Sequence, residues 1–339
     1  AAKLIYERMV RAMTEYRPPF EMTDEIVNMI SDIAELSGVI TVTSALDTNL
    51  TLRRENRIKT IYSSLAIEQN TLSIDQVTDV INGKRVLAPP SDIKEVQNAY
   101  EIYDKLDQMD PYSVDDLLAA HKVMTGGLVK EAGMFRSGNV GVYDGDKLIH
   151  AGTPAAYVPE VMEQLFSWLK GNEYHPLVRA CLFHYEFEFI HPFEDGNGRM
   201  GRLWHTLILS KWKPFFAWLP IESLIHDNQR KYYEVLAEAD KNTDAGVFVT
   251  FMLGLINEAM QQVVNTENVG INVGINVGIN GEKIIDLLKE DPKLNAVKLA
   301  EKLGLTSRQV ERLLSDLKRE GKLRRVGANK NGYWEILGY

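Results

Sequence analysis

Hydrophobic positions recur three and four residues apart through most of the chain, the spacing of helices that bury one face. Arg17-Pro18-Pro19-Phe20 is an extended lead-in. Thr23 then caps a helix that opens with Asp24-Glu25-Ile26-Val27-Asn28-Met29-Ile30. A second helix is predicted over about Leu50–Ala66 and a third over about Ser91–Asp107. Asn70-Thr71-Leu72-Ser73 and Asn82-Gly83-Lys84 break the pattern between them. Ser113 caps a helix running through His121 and Met124. Others are predicted at about Val158–Lys170, Pro176–Ile190, Gly198–Lys211, Gln229–Ala239 and Ala245–Gln262. A strand, turn and strand are expected at Val140-Gly141-Val142-Tyr143, Asp144-Gly145-Asp146 and Lys147-Leu148-Ile149-His150, because Asp-Gly supplies the positive φ of a tight hairpin.

Residues 263–280 depart from this texture. Asn268-Val269-Gly270-Ile271 begins a four-residue unit that occurs three times and ends in Asn280-Gly281. The regular glycines point to a flexible or weakly extended linker, with a short assembly-prone β segment as the alternative. Beyond it, Ile284-Ile285 with Leu287-Leu288 mark a helix, and Ala296–Leu303 a second. Gly304-Leu305-Thr306 is a turn, and Ser307–Glu320 is a third helix with Val310, Leu313, Leu314 and Leu317 on one face. Leu323–Val326 and Tyr333–Leu337, joined through Asn329-Lys330-Asn331-Gly332, complete a winged helix-turn-helix. The fold class is mainly α, divided as 1–108, 109–262, 263–280 and 281–339.

Composition narrows the partners. Hydrophobic residues are 45% of 339, the mix of a chain with a sizeable core. The net charge of −9 is uneven: residues 281–339 hold 13 Lys/Arg against 9 Asp/Glu, and the remainder is acidic. Cys181 is the one cysteine, so an internal disulfide and a cysteine-rich zinc site are excluded, and a reducing, cytoplasmic setting is expected. No uninterrupted apolar run reaches the ~18 residues of a membrane span, and no signal-peptide pattern is visible, so no membrane partner is expected.

The chemistry concentrates in His191-Pro192-Phe193-Glu194-Asp195-Gly196-Asn197-Gly198-Arg199-Met200-Gly201-Arg202. A His before a Pro sits off a helix end. The glycines let backbone N–H groups approach an anion, and a helix N-terminus adds its dipole at the same point. Arg199 and Arg202 share one helix face and can grip phosphate oxygens. Asp195 is suited to Mg²⁺ bridging two phosphates, and His191 to general-base work. Together they point to phosphoryl or nucleotidyl transfer.

This run resembles the signature HPFx(D/E)GNGRxxR of the Fic (filamentation induced by cAMP) proteins at every fixed position. Gly133-Met134-Phe135-Arg136 and the hairpin after it are similar to the family's flap, and Gln229-Arg230-Lys231-Tyr232-Tyr233 to the segment near its adenine pocket. The resemblance implies a helical Fic core that moves AMP from ATP onto a Tyr, Thr or Ser hydroxyl of a protein. It implies His191 as the base, Asp195 as the Mg²⁺ ligand and Phe193 as an anchor in the core. Gly196, Asn197, Gly198, Arg199, Met200, Gly201 and Arg202 would form the phosphate site, with Tyr232, Tyr233 and Asp240 around the nucleoside. A branch that phosphorylates instead carries Lys where Gly198 stands. Ser64 and Glu68 match the family's inhibitory motif (S/T)xxxE(G/N), with Gln69 departing from its last position and Asn70 one step later.

Three partners follow. A substrate protein would add a strand at Lys147, Leu148, Ile149 and His150. Duplex DNA is expected at residues 281–339, through Thr306, Ser307, Arg308, Gln309 and Arg312 on a recognition helix and Arg324, Arg325 and Lys330 on phosphates, with protein docking as the alternative. A monomer–dimer equilibrium is compatible with the sequence. The competing function is a DNA-binding regulator whose Fic core senses a nucleotide.

Overall fold

Thr23 starts the first described helix as its sequence predicts: its Oγ1 accepts a hydrogen bond from the Ile26 N–H at 3.3 Å, and α1 runs Asp24–Thr43. The computed structural model describes residues 16–43, 46, 49–144, 147–151, 153–303, 307–319, 321–326 and 333–337. Helices α2 (Leu50–Ile67), α3 (Ile74–Ile81), α4 (Pro90–Asp104) and α5 (Val114–Met124) follow. Next come the hairpin β1 (Gly141–Asp144) and β2 (Lys147–Ala151), then α6 (Val158–Gly171), α7 (Pro176–Ile190), α8 (Asn197–Trp212), α9 (Ile221–Asp227), α10 (Gln229–Asn242) and α11 (Gly246–Glu290). The chain closes with α12 (Ala296–Leu303), α13 (Ser307–Arg319), β3 (Leu323–Val326) and β4 (Tyr333–Ile336). It divides into two compact units, up to Val263 and from Val264.

The first unit is built around α7 and α8. Almost every side chain of α7 from Leu177 to Ile190 is buried, the mark of a helix packed on all sides. Phe183 meets Phe166 of α6 edge-on at 5.3 Å, and Leu203, Trp204 and Leu207 of α8 fill the same core. Helix α2 is fastened along its length. Asn56 Nδ2 donates to the Trp218 carbonyl at 3.0 Å, and Ser63 Oγ to Ser223 Oγ at 3.1 Å. The buried Arg57 guanidinium lies over Tyr103 and Trp218, at 5.2 and 4.6 Å.

Three features differ from the sequence pattern. Helix α3 occupies the expected break because Ser73 and Gln76 close a reciprocal capping box and Val77 and Val80 find a core. Helix α9, seven residues, is too short to show a period of its own. The 263–280 tract, expected as a loose or extended linker, falls inside α11. Its four-residue repeat is close to the 3.6-residue turn, so a helical backbone accommodates it although each Gly costs about 1 kcal/mol relative to Ala.

Gly246–Val264 of α11 is long and apolar enough to span a bilayer, but half of it is buried within the protein. The hairpin pairs antiparallel, Val142 with His150 and Tyr143 with Leu148, with a register shift between Val142 and Tyr143. Its turn residues Gly145 and Asp146 lie outside the described residues. In the second unit Ile284, Leu288, Leu299, Val310, Leu314 and Leu323 form a separate core, and β3 pairs antiparallel with β4. The expected turn at Gly304-Leu305-Thr306 and the wing tip with Lys330 lie outside the described residues.

Candidate active site

The loop 191–196 joins the end of α7 to the start of α8. His191 is the residue after α7 and adopts a left-handed conformation, φ 53° and ψ 63°. Gly196 precedes α8 at φ 83°, where a Cβ would also meet Thr125 Cγ2 at 2.9 Å. The Asn197 side chain clasps the loop from inside: its Oδ1 accepts from the Phe193 N–H and its Nδ2 donates to the Phe193 carbonyl, both at 2.9 Å. That side chain, expected at phosphate, is therefore committed to the loop. The N–H groups of Asn197, Gly198 and Arg199 have no acceptor among the described residues, so α8 presents an open, positively polarised N-terminus.

The two arginines are buried, and both meet carboxylates. Arg199 Nη1 donates to Glu95 Oε1 at 3.0 Å and its Nη2 to Asp195 Oδ1 at 3.1 Å. Arg202 donates from Nε to Ser64 Oγ at 3.1 Å, and from Nη2 to the Ser64 carbonyl at 2.9 Å and to Glu68 Oε1 at 2.8 Å. Burial alone would push the Arg202 guanidinium down; Glu68 outweighs it and holds it above its ordinary value. A Cβ at Gly198 would collide with the Glu68 carboxylate, so the glycine leaves room for that side chain directly over the start of α8.

Glu68 is delivered by the way α2 ends. The Gln69 N–H donates to the Ala66 carbonyl at 3.0 Å and the Asn70 N–H to the Leu65 carbonyl at 3.1 Å, with Gln69 at φ 67°. This is a Schellman ending, which needs a left-handed residue just past the cap. The departure of Gln69 from the Gly/Asn position thus leaves the backbone shape unchanged. Gln229 Nε2 also donates to the Ile67 carbonyl at 3.0 Å, tying α10 to the same helix end.

The remaining predicted residues divide. Tyr232 is buried with its hydroxyl 3.1 Å from His184 Nε2, and the half-exposed Tyr233 packs edge-on against it at 5.2 Å. Asp240 accepts the Tyr185 hydroxyl at 2.9 Å. Met200 is fully buried and its N–H donates to the Gly196 carbonyl at 2.9 Å, so it offers nothing to a phosphate. Gly201 serves close packing, because a Cβ there would meet Glu188 Oε1 at 2.8 Å and His184 Cδ2 at 3.1 Å. Lys147, Leu148, Ile149 and His150 lie in β2, the strand their pattern predicts. Asp195 Oδ2 accepts no hydrogen bond among the described residues, and its side chain is 57% exposed. One open carboxylate oxygen suits Mg²⁺, which brings most of its ligands as water and phosphate. Among the described residues no group of three or more His, Cys, Asp and Glu side chains is placed to hold a metal.

Three supporting residues escaped the sequence pattern. His121 stacks flat on Phe193, ring centroids 3.6 Å apart. Its Nδ1 accepts from the Gly133 N–H at 2.9 Å, so Nε2 carries the proton and donates to the Asp195 carbonyl at 3.0 Å. Burial keeps that ring's pKa low and favours this neutral form. Arg136, in the stretch read as flap, spends its guanidinium on carbonyls: His191 at 2.7 Å, Gly138 at 2.8 Å, Ile190 at 3.3 Å and Thr153. It thereby latches the segments on either side of the hairpin to the end of α7. Glu95 is the third. Below the loop, burial pushes the Glu188 carboxyl up to about 7, with His191 and Arg202 opposing the shift, and pushes His184 down to about 3.

Comparison with known proteins follows the same lines. The profile of the Fic/DOC family matches residues 111–209, and a winged helix-turn-helix DNA-binding profile matches residues 279–324. The chain is 43% identical to a solved Fic family protein from Desulfovibrio desulfuricans G20, with a TM-score of 0.75 over 96% of this chain and 99% of that one. Fic-1 from C. elegans shares the fold at 24% identity, with a TM-score of 0.59 over 72% of this chain and 73% of that one. Protein adenylyltransferase Fic from Aedes aegypti is 28% identical over 229 residues, 62% of this chain and 43% of the relative. Its counterpart from Nematostella vectensis is 28% identical over 211 residues, 59% and 47%. The chain thus spans less than half the length of these curated relatives.

Proposed function

The chain belongs to the Fic family, and from that premise we propose that it is a protein adenylyltransferase held in check by Glu68. The observation that best supports the reading is the loop 191–196. It has His191 at its entry, and the open N-terminus of α8 with Arg199 and Arg202 at its exit. That end of α8 suits an anion carrying several phosphates.

In the proposed reaction His191 takes the proton of a protein hydroxyl. The hydroxyl oxygen forms a bond to the α-phosphorus of ATP, the bond from that phosphorus to the α–β bridging oxygen breaks, and pyrophosphate leaves. Arg136 fixes His191 by its carbonyl, and Asn197 and His121 hold the loop between base and phosphate site. The free N–H groups of α8 stabilise charge on the phosphates. Asp195 would hold Mg²⁺, which neutralises the α- and β-phosphates when bound. Arg199 and Arg202 would grip the outer phosphates once their carboxylate partners give way, and Tyr232 and Tyr233 would line the nucleoside side.

A target segment pairing with β2 at residues 147–150 would bring its hydroxyl to His191 by backbone hydrogen bonds alone. The buried free thiol of Cys181 fits a reducing, cytoplasmic setting. The second unit is proposed as a DNA-docking module. The test is incubation of the full chain and a cell lysate with ATP labelled at the α- or the γ-phosphate. Protein labelled from the α position only supports the reading; labelling from the γ position only overturns it in favour of a kinase.

A further inference from the structure

The geometry points to Glu95 as a positioning residue that joins the Glu68 gate to Arg199. Its effects on ATP and on labelling rest on the nucleotide and inhibitory readings above, and the bridge itself on the contacts. Glu95 lies on α4 with one fifth of its side chain exposed. One oxygen, Oε1, accepts from Arg199 Nη1 at 3.0 Å, and the other, Oε2, accepts from Asn70 Nδ2 at 2.7 Å. Asn70 is two residues past Glu68 and is the second residue of the Schellman ending of α2. A single carboxylate therefore bridges the segment that aims Glu68 and the first of the two arginines.

The surroundings give this bridge weight. Thr71 is held by Asp92 through its N–H at 3.0 Å and its hydroxyl at 2.5 Å, so the chain after Glu68 is pinned to α4 at two acids one turn apart. Of these two, Glu95 alone continues to an arginine of α8 among the described contacts. Arg199 is 3% exposed and, among the described residues, its Nε has no partner and Glu95 and Asp195 are what hold its guanidinium. A pair this buried is not the solvated surface pair that contributes little. Both arginines of α8 thus meet carboxylates tied to the end of α2: Arg202 through Glu68 itself, Arg199 through Glu95 and Asn70.

Loss of the Glu95 charge then acts in opposite directions in two backgrounds. With Glu68 present, the end of α2 loosens and the gate opens more often. With Glu68 removed there is no gate to loosen, and an unheld Arg199 grips phosphate less well. Asn70→Ala separates the two effects, because it cuts the arm to the gate and leaves the arm to Arg199.

The experiment measures labelling and the KM for ATP with full-length Glu95→Gln and Asn70→Ala, each with Glu68 present and in a Glu68→Gly background. Amide hydrogen exchange at residues 65–72 accompanies it. With Glu68 present, both variants should raise labelling about 5- to 20-fold, within the usual range of coupling between linked sites. In the Glu68→Gly background, Glu95→Gln should raise the KM for ATP about fivefold with little change in kcat, as loss of uniform binding does, and Asn70→Ala should leave KM unchanged. Amides of Gln69 and Asn70 should exchange faster in both variants. A fall in labelling of equal size in both backgrounds overturns the bridge, as does unchanged labelling with unchanged exchange. If Glu68→Gly transfers no AMP, the transferase reading fails by itself. Exchange at Gln69 and Asn70 then decides the bridge, and unchanged protection in Glu95→Gln overturns it.

Discussion

Glu68 Oε1 lies 2.8 Å from Arg202 Nη2, a charge-assisted hydrogen bond between residues 134 positions apart. The same carboxylate overhangs Gly198, at the first turn of the helix proposed to receive phosphates. It therefore competes with phosphate for a guanidinium and also for the space above a helix end. Displacement of a reacting group by about 1 Å is enough to cost on the order of 10²-fold in rate. Glu68→Gly is expected to raise self-labelling from α-labelled ATP by about that factor, with ATP still bound by the unaltered protein. Equal labelling by both proteins at saturating ATP and Mg²⁺ would falsify the inhibitory assignment.

His191→Ala is expected to remove transfer and spare nucleotide binding, because the imidazole is assigned to the incoming hydroxyl and the arginines to the phosphates. A positioned general base typically contributes about 10²–10⁴-fold. Labelling should drop by that range in the Glu68→Gly background, while isothermal titration with ATP returns an affinity within a few-fold of the parent. Retained turnover would remove His191 from the role of base.

What could be read from the sequence follows distance along the chain. Residues 191–202 carry their chemistry in one contiguous run, and the hairpin and the helix ends at Thr23, Ser113 and Ile190 are fixed by neighbours a few positions away. Glu68 was legible through its spacing from Ser64 and the family likeness. Glu95 was not, because one Glu in an amphipathic helix looks the same whether it faces water or an arginine 104 residues away. His121 was equally silent, since a stack on Phe193 leaves no local signal. The family likeness puts Met200 and Gly201 at phosphate by their place in the motif, yet a helix turns each successive side chain by about 100°, which carries Met200 into the core. Residues 263–280 lie inside α11 although their glycine content favours a looser backbone.

Gln69 offers a test on stability. It holds a left-handed conformation, φ 67°, at a position that glycine fills without a Cβ clash. The left-handed region costs an ordinary residue roughly 1–2 kcal/mol, part of which glycine gives back through its freer unfolded chain. Gln69→Gly should therefore stabilise the protein by up to about 1 kcal/mol, read as a rise in Tm. A lower Tm would mean that the Gln69 side chain contributes more than its backbone strain removes.

Stability should also respond to pH through Glu188. Burial raises its folded pKa to about 7 from an ordinary 4.5. Between those values the folded protein binds a proton that the unfolded chain does not, so the contribution present below about pH 4.5 is lost as pH rises through 7. Glu188→Gln cannot ionise and escapes the loss. The difference in Tm between Glu188→Gln and the parent should grow in favour of the variant from pH 5 to pH 8. A difference that stays constant with pH would show that Glu188 titrates near its ordinary value in the folded protein.

The last prediction concerns the second unit. A winged helix that holds DNA usually contributes Lys and Arg to phosphates, and each such contact adds about 0.9 to the slope of log affinity against log salt. Among the described residues, the two arginines of the wing are already engaged. Arg324 donates to Glu335 Oε2 from Nε at 2.9 Å and from Nη2 at 2.5 Å, and Arg325 lies over the Trp334 ring at 5.0 Å. The full chain is therefore expected to bind duplex DNA weakly and with a shallow salt slope, carried by the recognition helix α13. Glu335→Ala should release the exposed Arg324 side chain for a phosphate, tighten binding at low salt and steepen the slope by about one contact. Fluorescence anisotropy of a labelled duplex across a salt series measures both quantities. No binding by either protein at low salt, or identical slopes for the two, would turn the assignment of this unit from DNA to a protein partner.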